Sequence, residues 1–363
     1  MAKKICFFLL SLLALISFFF IFKAYQTYQN MPDLHVDSNY QKRLQWGSEK
    51  HPYKNINEAF EAARKKISLP VIHLKNGEYS GNIEIPENMK IYGESREGVI
   101  LKNSEPLSKI LMKKNSFLSG LTILGGTVGI LAEDQTVIEN CSVLSENTGI
   151  LAKGQTVIKD CSVSGGIIGI LAEGQAAIEN CSVKEFKKIG IDASSNEFEI
   201  VVKNSEISNS EGKGMYVQRS RKMFLINNDV HDNKEEGLDL RQVVSGEING
   251  NKIYNNGESG IESVVSGSYF LISENEIWGN GSNGITFQYY DDEKKDAEII
   301  VKKNKISAGD SEHLAISVAN PSGEKNKPEN FWRNSIKIYS DNILEGGIKT
   351  RSLEITKKIY PVE

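Results

Sequence analysis

Asp192, Asp239, Glu262, Arg241 and His231 are the residues best suited to acid–base chemistry, and their spacing is regular. Glu262 follows Asp239 by 23 positions (262 − 239), and Asp239 follows Asp192 by 47 (239 − 192). In a chain stacked in coils about 4.8 Å apart, one such interval sets two carboxylates about 5 Å apart, the separation of a retaining glycosidase pair. Two intervals give about 9.6 Å, near the upper end for an inverting pair. Close carboxylates raise one another's pKa and can divide into acid and base. Arg241 can neutralise a uronate carboxylate before proton abstraction or simply pair with an acid next door, and the same oxygens can hold Ca²⁺. The plainer alternative is a set of solvated ion pairs on outward strand positions.

These spacings have meaning only if the chain stacks, and its repeats say that it does. GILAEDQTVIENCSV at Gly129 returns as GILAKGQTVIKDCSV at Gly149 and GILAEGQAAIENCSV at Gly169, an interval of 20 twice. Looser copies start at Gly190, Gly214, Gly237, Gly260 and Gly284. Gly-apolar-x-apolar, a polar turn, an apolar pair and x-Val or x-Ile read as short strands, with no room for a helix. Units of this length suit coils of a parallel β-helix.

A turn column runs Cys141, Cys161, Cys181, Ser205, Asn228, Asn251, Asn275, Asn304 and Asp341, so the cysteines fill the slot of a stacked asparagine ladder. Three thiols at a constant interval read as buried small residues rather than disulfide partners. Glu133, Lys153 and Glu173 make an alternating-sign ladder, and Gln135, Gln155 and Gln175 a stack of amides.

On each Gly-led strand the x positions face outward. Down the coils the first outward column reads Leu131, Leu151, Leu171, Asp192, Tyr216, Asp239, Glu262, Thr286, and the next reads Glu133, Lys153, Glu173, Ser194, Gln218, Arg241, Val264, Gln288. An apolar stripe thus gives way to acids, a tyrosine, an arginine and amides. Two insertions follow this face, YYDDEKKD from Tyr289 and ANPSGEKNKPENFWRN from Ala319. Tyr290 and Trp332 on them, with Trp278 and His231 on the opposite rim, can stack on sugar rings, while Tyr216, Gln218 and Gln288 offer polar contacts. Trp332 serves equally well as a cap on the last coil. The leucines need a cover, either the 24–54 segment or a partner chain.

The ends are distinct. Lys3 and Lys4 precede an uncharged apolar run, Ile5 to Phe22, long enough for a single-pass membrane anchor with the body outside. Cleavage as a signal peptide is the alternative and would leave a secreted protein. In NINEAFEAARKKI, Ile56, Ala59, Phe60, Ala63 and Ile67 form one helical face behind Asn55, a plug for the open first coil. A net charge of −4 and the lack of a basic run argue against nucleic acid as a partner.

The run YKNINEAFEAARKKISLPVIHLKNGEYSGNIEIPENMKIYGES, Tyr53 to Ser95, resembles the opening coils of pectin-lyase-like right-handed parallel β-helices, as do LSGLTILGG (Leu118 to Gly126) and the NNDVHDN, NKIYNN and NEIWGN turns. The resemblance covers about residues 53 to 350. It implies an all-β solenoid but no single activity, because the superfamily holds lyases, hydrolases, esterases, epimerases and adhesins. Asp229-Val230-His231-Asp232 departs at its second position from the Asp-Pro-His-Asp of mannuronan epimerases. The organisation expected is an anchor over 1–23, a linker over 24–54, a β-helix over 55–350 with a capping helix at 55–67 and repeats from about 70, and a tail over 351–363. Two functions stand side by side: a polysaccharide lyase, epimerase or glycoside hydrolase, and a surface module that binds glycan or protein without turnover.

Overall fold

Runs of two to six residues with apolar side chains at alternate positions, many followed by Gly, Asn or Asp, fold locally as strand and corner rather than helix. The computed structural model describes residues 33–66, 69–81, 83–103, 109–194, 197–243, 245–288, 296–319, 335–346 and 348–350. Among them the strands assemble into three parallel sheets of 13, 12 and 12 strands. One coil is Val128–Ala132, Thr136–Glu139 and Ser142–Leu144; the next is Thr148–Ala152, Thr156–Lys159 and Ser162–Ser164. Their registers, Ile130 on Ile150, Ile138 on Ile158 and Val143 on Val163, superpose the repeats as their spacing requires. The first sheet runs from Asp33–Val36 to Ile336–Ile338, the second from Glu84–Ile85 to Ile348–Thr350 and the third from Gly77–Ser80 to Ile343–Glu345. Inward Ile, Val, Leu and Met from all three form one continuous core.

Close approach explains the leading glycines. A Cβ on Gly149 would lie 2.5 Å from the carbonyl oxygen of Gly169 in the next coil, a clash with backbone that cannot yield. The turn column is also hydrogen-bonded as its composition suggests. Asn228 Nδ2 donates to Asn251 Oδ1 at 3.0 Å, Asn251 Nδ2 to Asn275 Oδ1 at 2.9 Å and Asn275 Nδ2 to Asn304 Oδ1 at 2.9 Å. The thiols imitate the donor half: Cys161 Sγ points at Ile138 O and Lys159 O, as Asn251 Nδ2 points at Leu225 O and Asn249 O. Cys141, Cys161 and Cys181 are buried and free. Asn342, not Asp341, ends the ladder, because Ile306 pairs with Leu344 rather than Ile343 and moves the register by one residue. A second ladder, Asn233, Asn256 and Asn280, lines the next corner. The Gln135, Gln155 and Gln175 column is joined through its backbone, Thr136 N–H donating to Gln155 O and Thr156 N–H to Gln175 O.

Helix α1, Ile56–Arg64, is capped by the Asn55 side chain accepting from Asn57 N–H and buries Ile56, Ala59, Phe60 and Ala63. It is shorter than the 55–67 expected, and Ile67 lies outside the described residues. The span read as a linker, 24–54, is not all linker: Asp33–Val36 is a strand in register with Val71–Leu74, and Tyr53 N–H donates back to His35 O. Residues 33–54 are therefore engaged at the end of the first sheet and do not cover the leucine stripe on the second. The apolar run Ile5–Phe22 and the 351–363 tail lie outside the described residues, among which no helix is long and apolar enough to cross a membrane.

Candidate functional site

The outward column of the second sheet holds as read. Leu111, Leu131, Leu151, Leu171, Asp192, Tyr216, Asp239, Glu262 and Thr286 are successive register partners. Beside it Gln218, Arg241, Val264 and Gln288 form the second column. A third outward column was missed. Strands such as Val128–Ala132 turn two consecutive residues inward, Gly129 and Ile130, so the residue before each glycine also faces out. That column brings Lys213 and Glu236 to the site, and the residues preceding Gly214 and Gly237 were the signal that could have found them.

Asp239 is the hub. It is 0% exposed, its Oδ1 accepts from Arg241 Nε at 3.0 Å, and its Oδ2 accepts from Arg241 Nη2 at 2.9 Å and faces Lys213 Nζ at 3.0 Å. Lys213 is also ion-paired with Glu236, itself 4% exposed, and lies 3.5 Å from Glu235. Burial pulls the Lys213 ammonium down, but Glu236 and Asp239 outweigh it and hold the group protonated well above its usual range. The Arg241 guanidinium sits 5.4 Å above the Tyr216 ring, whose hydroxyl is pushed up mainly by burial. Asp192, 8% exposed, accepts from Ser194 N–H at 2.9 Å.

Glu262 differs from its neighbours. It is half-buried, and burial followed by repulsion from Glu236 and Asp239 raises its carboxyl to about 7, with Lys213 and Arg241 opposing. It is thus poised to give or take a proton at neutral pH. Glu258 is raised by the same two causes, burial and then Glu236. Gln288 Oε1 is buried and accepts no hydrogen bond among the described residues.

The pair expected from spacing alone is therefore unequal. Asp239 and Glu262 are register partners, but Asp239 is ion-paired on both oxygens and closed to solvent, which removes it as a free nucleophile or base. Arg241 takes the alternative foreseen for it, pairing with the acid next door. The group does not present an oxygen cage for Ca²⁺, because Asp239 and Glu236 already face Lys213 and Arg241; no group of three or more His, Cys, Asp or Glu among the described residues is placed to hold a metal.

His231 and Trp278 belong to the third sheet. His231 stacks on Tyr254 at 4.8 Å and Tyr254 on Trp278 at 4.5 Å, with planes within 7° and 5° of parallel. The His231 Nδ1 lies 2.7 Å from Asp232, and Nε2 lies 3.5 Å from Glu206. The structure does not bring His231 to the Asp239 cluster: it faces out from the neighbouring sheet, before the corner that carries Glu236. The faces of these rings stack on one another rather than opening as a rim toward Glu262. Tyr290 and Trp332 lie outside the described residues.

The model of the right-handed β-helix region matches residues 148–306 and 188–348, together more than half of the chain. The chain belongs to the right-handed β-helix family. This β-helix is similar in structure to the A-module of Azotobacter vinelandii mannuronan C-5 epimerase AlgE4, with 15% identity, a TM-score of 0.63, and 87% of this chain and 97% of that one covered. The AlgE6 A-module matches with 14% identity and a TM-score of 0.55 over 81% and 88%. The Dettilon tailspike protein matches with 16% identity and a TM-score of 0.63 over 88% and 68%. At these identities the likeness is one of fold. No curated protein matches the chain in sequence.

Proposed function

We propose that this β-helix modifies a polysaccharide by proton transfer at the second sheet, with Glu262 as the acid or base. The observation carrying the reading is a cluster of charges buried on the outside of a solenoid whose earlier coils fill the Asp239 column with leucine and the Lys213 column with Val128, Thr148, Ile168 and Ile189. Taking Asp239, Glu236 and Lys213 out of water costs several kcal/mol per ion before pairing offsets it. The fold does not require that cost, as Leu131, Leu151 and Leu171 show. What the cluster provides is a fixed field around one half-buried carboxyl, whose raised pKa suits proton exchange. Because Asp239 is ion-paired, the retaining hydrolase loses its second carboxylate, and a syn β-elimination fits better. Glu262 as carboxylate takes the C5 proton of a uronate, the C5–H electrons form the C4–C5 double bond as the C4–O4 bond breaks, and Glu262 returns the proton to the departing O4. Epimerisation, by contrast, needs a second group to reprotonate C5 from the opposite face. The neighbours named as mannuronan C-5 epimerases are in keeping with a glycan partner. Gln288 stands one coil beyond the carboxyl and Tyr216 and Gln218 two coils before it on the same sheet, where they can supply polar contacts to a chain lying along it. The apolar run Ile5–Phe22 supports a single-pass anchor that holds this face outside the membrane, or secretion if it is cleaved.

The test is turnover on a panel of acidic and neutral polysaccharides, read by NMR of the products. The wild type should convert at least one, and Glu262→Gln should lose about 100-fold or more while still binding. Binding without conversion by the wild type would point to the non-catalytic module instead.

A further inference from the structure

The column that carries Asp192 to Thr286 is leucine in the four coils before it. Leu111, Leu131, Leu151 and Leu171 are only half-buried. Val128 and Ile168 stand outward on one side, and toward the third sheet Leu144 is 47% and Ile167 39% exposed. Glu84 and Asp192 close the apolar run at its two ends. On the other side of the leucines runs the ladder Lys113, Glu133, Lys153, Glu173, one charge per coil. Within the chain Lys113 pairs with Glu133 at 3.1 Å and also lies 3.9 Å from Glu84, and Lys153 pairs with Glu173 at 3.9 Å. All four side chains keep 30% to 50% of their surface exposed.

The order plus, minus, plus, minus reverses into its own complement. Consider a two-fold axis lying in this face along the strand direction, midway between the coils of Leu131 and Leu151. It lays leucine on leucine and sets Lys113 against the second copy's Glu173 and Glu133 against its Lys153. Every one of the four cross-contacts within the ladder is then between opposite charges, while Glu84 and the second copy's Asp192, just beyond the leucines at each end, are like charges and bound the footprint there. We propose that the face is an isologous interface between two copies of this chain with antiparallel solenoid axes. Neither a glycan nor an apolar segment would make use of the alternation.

Four coils of about 4.8 Å give a patch about 19 Å long and, across a five-residue strand at about 3.3 Å per residue, about 17 Å wide, roughly 320 Å² and well short of the about 800 Å² per partner of a standard interface unless flanking residues join. The dimer is therefore weak and concentration-dependent. Its footprint ends at Leu171, four coils before Glu262, and leaves the candidate site open.

Sedimentation equilibrium of the full chain in density-matched detergent tests this. Glu133→Lys makes the ladder plus, plus, plus, minus; Lys153→Glu makes it plus, minus, minus, minus. Each variant alone meets two like-charge contacts in its own antiparallel dimer, whereas the two mixed are complementary at all four positions. The wild type should show a monomer–dimer equilibrium, each variant a dimer weakened at least about 10-fold, and the mixture a return to wild-type association. Leu151→Asp, which leaves the ladder intact, should also dissociate the dimer, with thermal melts showing that each variant folds. A wild type monomeric at every concentration, or a mixture that associates no better than either variant, would overturn the proposal. So would a monomer whose leucine face becomes accessible to labelling only when residues 24–32 are removed.

Discussion

Replacing Glu262 by Gln should change how stability depends on pH. The glutamate titrates near 4.5 unfolded and at about 7 folded, a gap worth about 3.4 kcal/mol at about 1.36 kcal/mol per pH unit. The side chain is only part-buried, so solvent screening reduces this to about 1.5–2 kcal/mol. The sign follows from proton counts. Between 4.5 and about 7 the folded state holds the proton more tightly than the unfolded chain, so stability falls as pH rises through this window. Glutamine cannot lose a proton and keeps the shape of the neutral acid. Urea melts at pH 5, 6, 7 and 8 should therefore show the variant close to wild type at pH 5 and more stable by about 1.5–2 kcal/mol at pH 8. Difference curves that stay flat across this range would mean that Glu262 ionises normally, and the argument for proton transfer would fail with it.

Three further outcomes follow from the same geometry. Asp239→Ala leaves Lys213 and Arg241 without their shared carboxylate and should destabilise the protein by about 3–5 kcal/mol in denaturant melts, whereas a loss below about 1 kcal/mol would mean the cluster is effectively solvated. Asn251→Ala removes the acceptor for Asn228 in the middle of the ladder and should cost about 2–3 kcal/mol, with amide exchange accelerating first at Asn228. The thiols of Cys141, Cys161 and Cys181 are buried, and Cys161 and Cys181 are raised well above the usual thiol range, by contacts within the stack and by burial. A disulfide reagent should label the three only on unfolding, and labelling in the folded protein would refute the packed stack.

The register was legible because a strand's two-residue period leaves little freedom once glycines and turn asparagines are aligned. Leu171 over Asp192 and Asp239 over Glu262 came from counting alone. Counting failed at the last coil, where Ile343 and Leu344 are both apolar and alignment on the first put Asp341 in the slot of Asn342. Strict alternation also hid Lys213 and Glu236, because each strand turns two residues inward at its glycine. Whether a carboxylate is free or ion-paired depends on which long side chains reach it, and column composition does not carry that. Asp239 looked the equal of Glu262 until Lys213 and Arg241 were seen to close on it. Chain order alone sets His231 and Trp278 on a rim, but the stacking of His231, Tyr254 and Trp278 is a matter of ring planes, which residue types do not carry.

A structure of the protein with a bound oligosaccharide would test the site most directly. The sugar should lie along the second sheet, with one of its atoms within about 2.6–3.2 Å of the Glu262 carboxyl and polar contacts to Gln288 or Tyr216. An oligosaccharide seated instead against Trp278 on the third sheet, with Glu262 untouched, would contradict it.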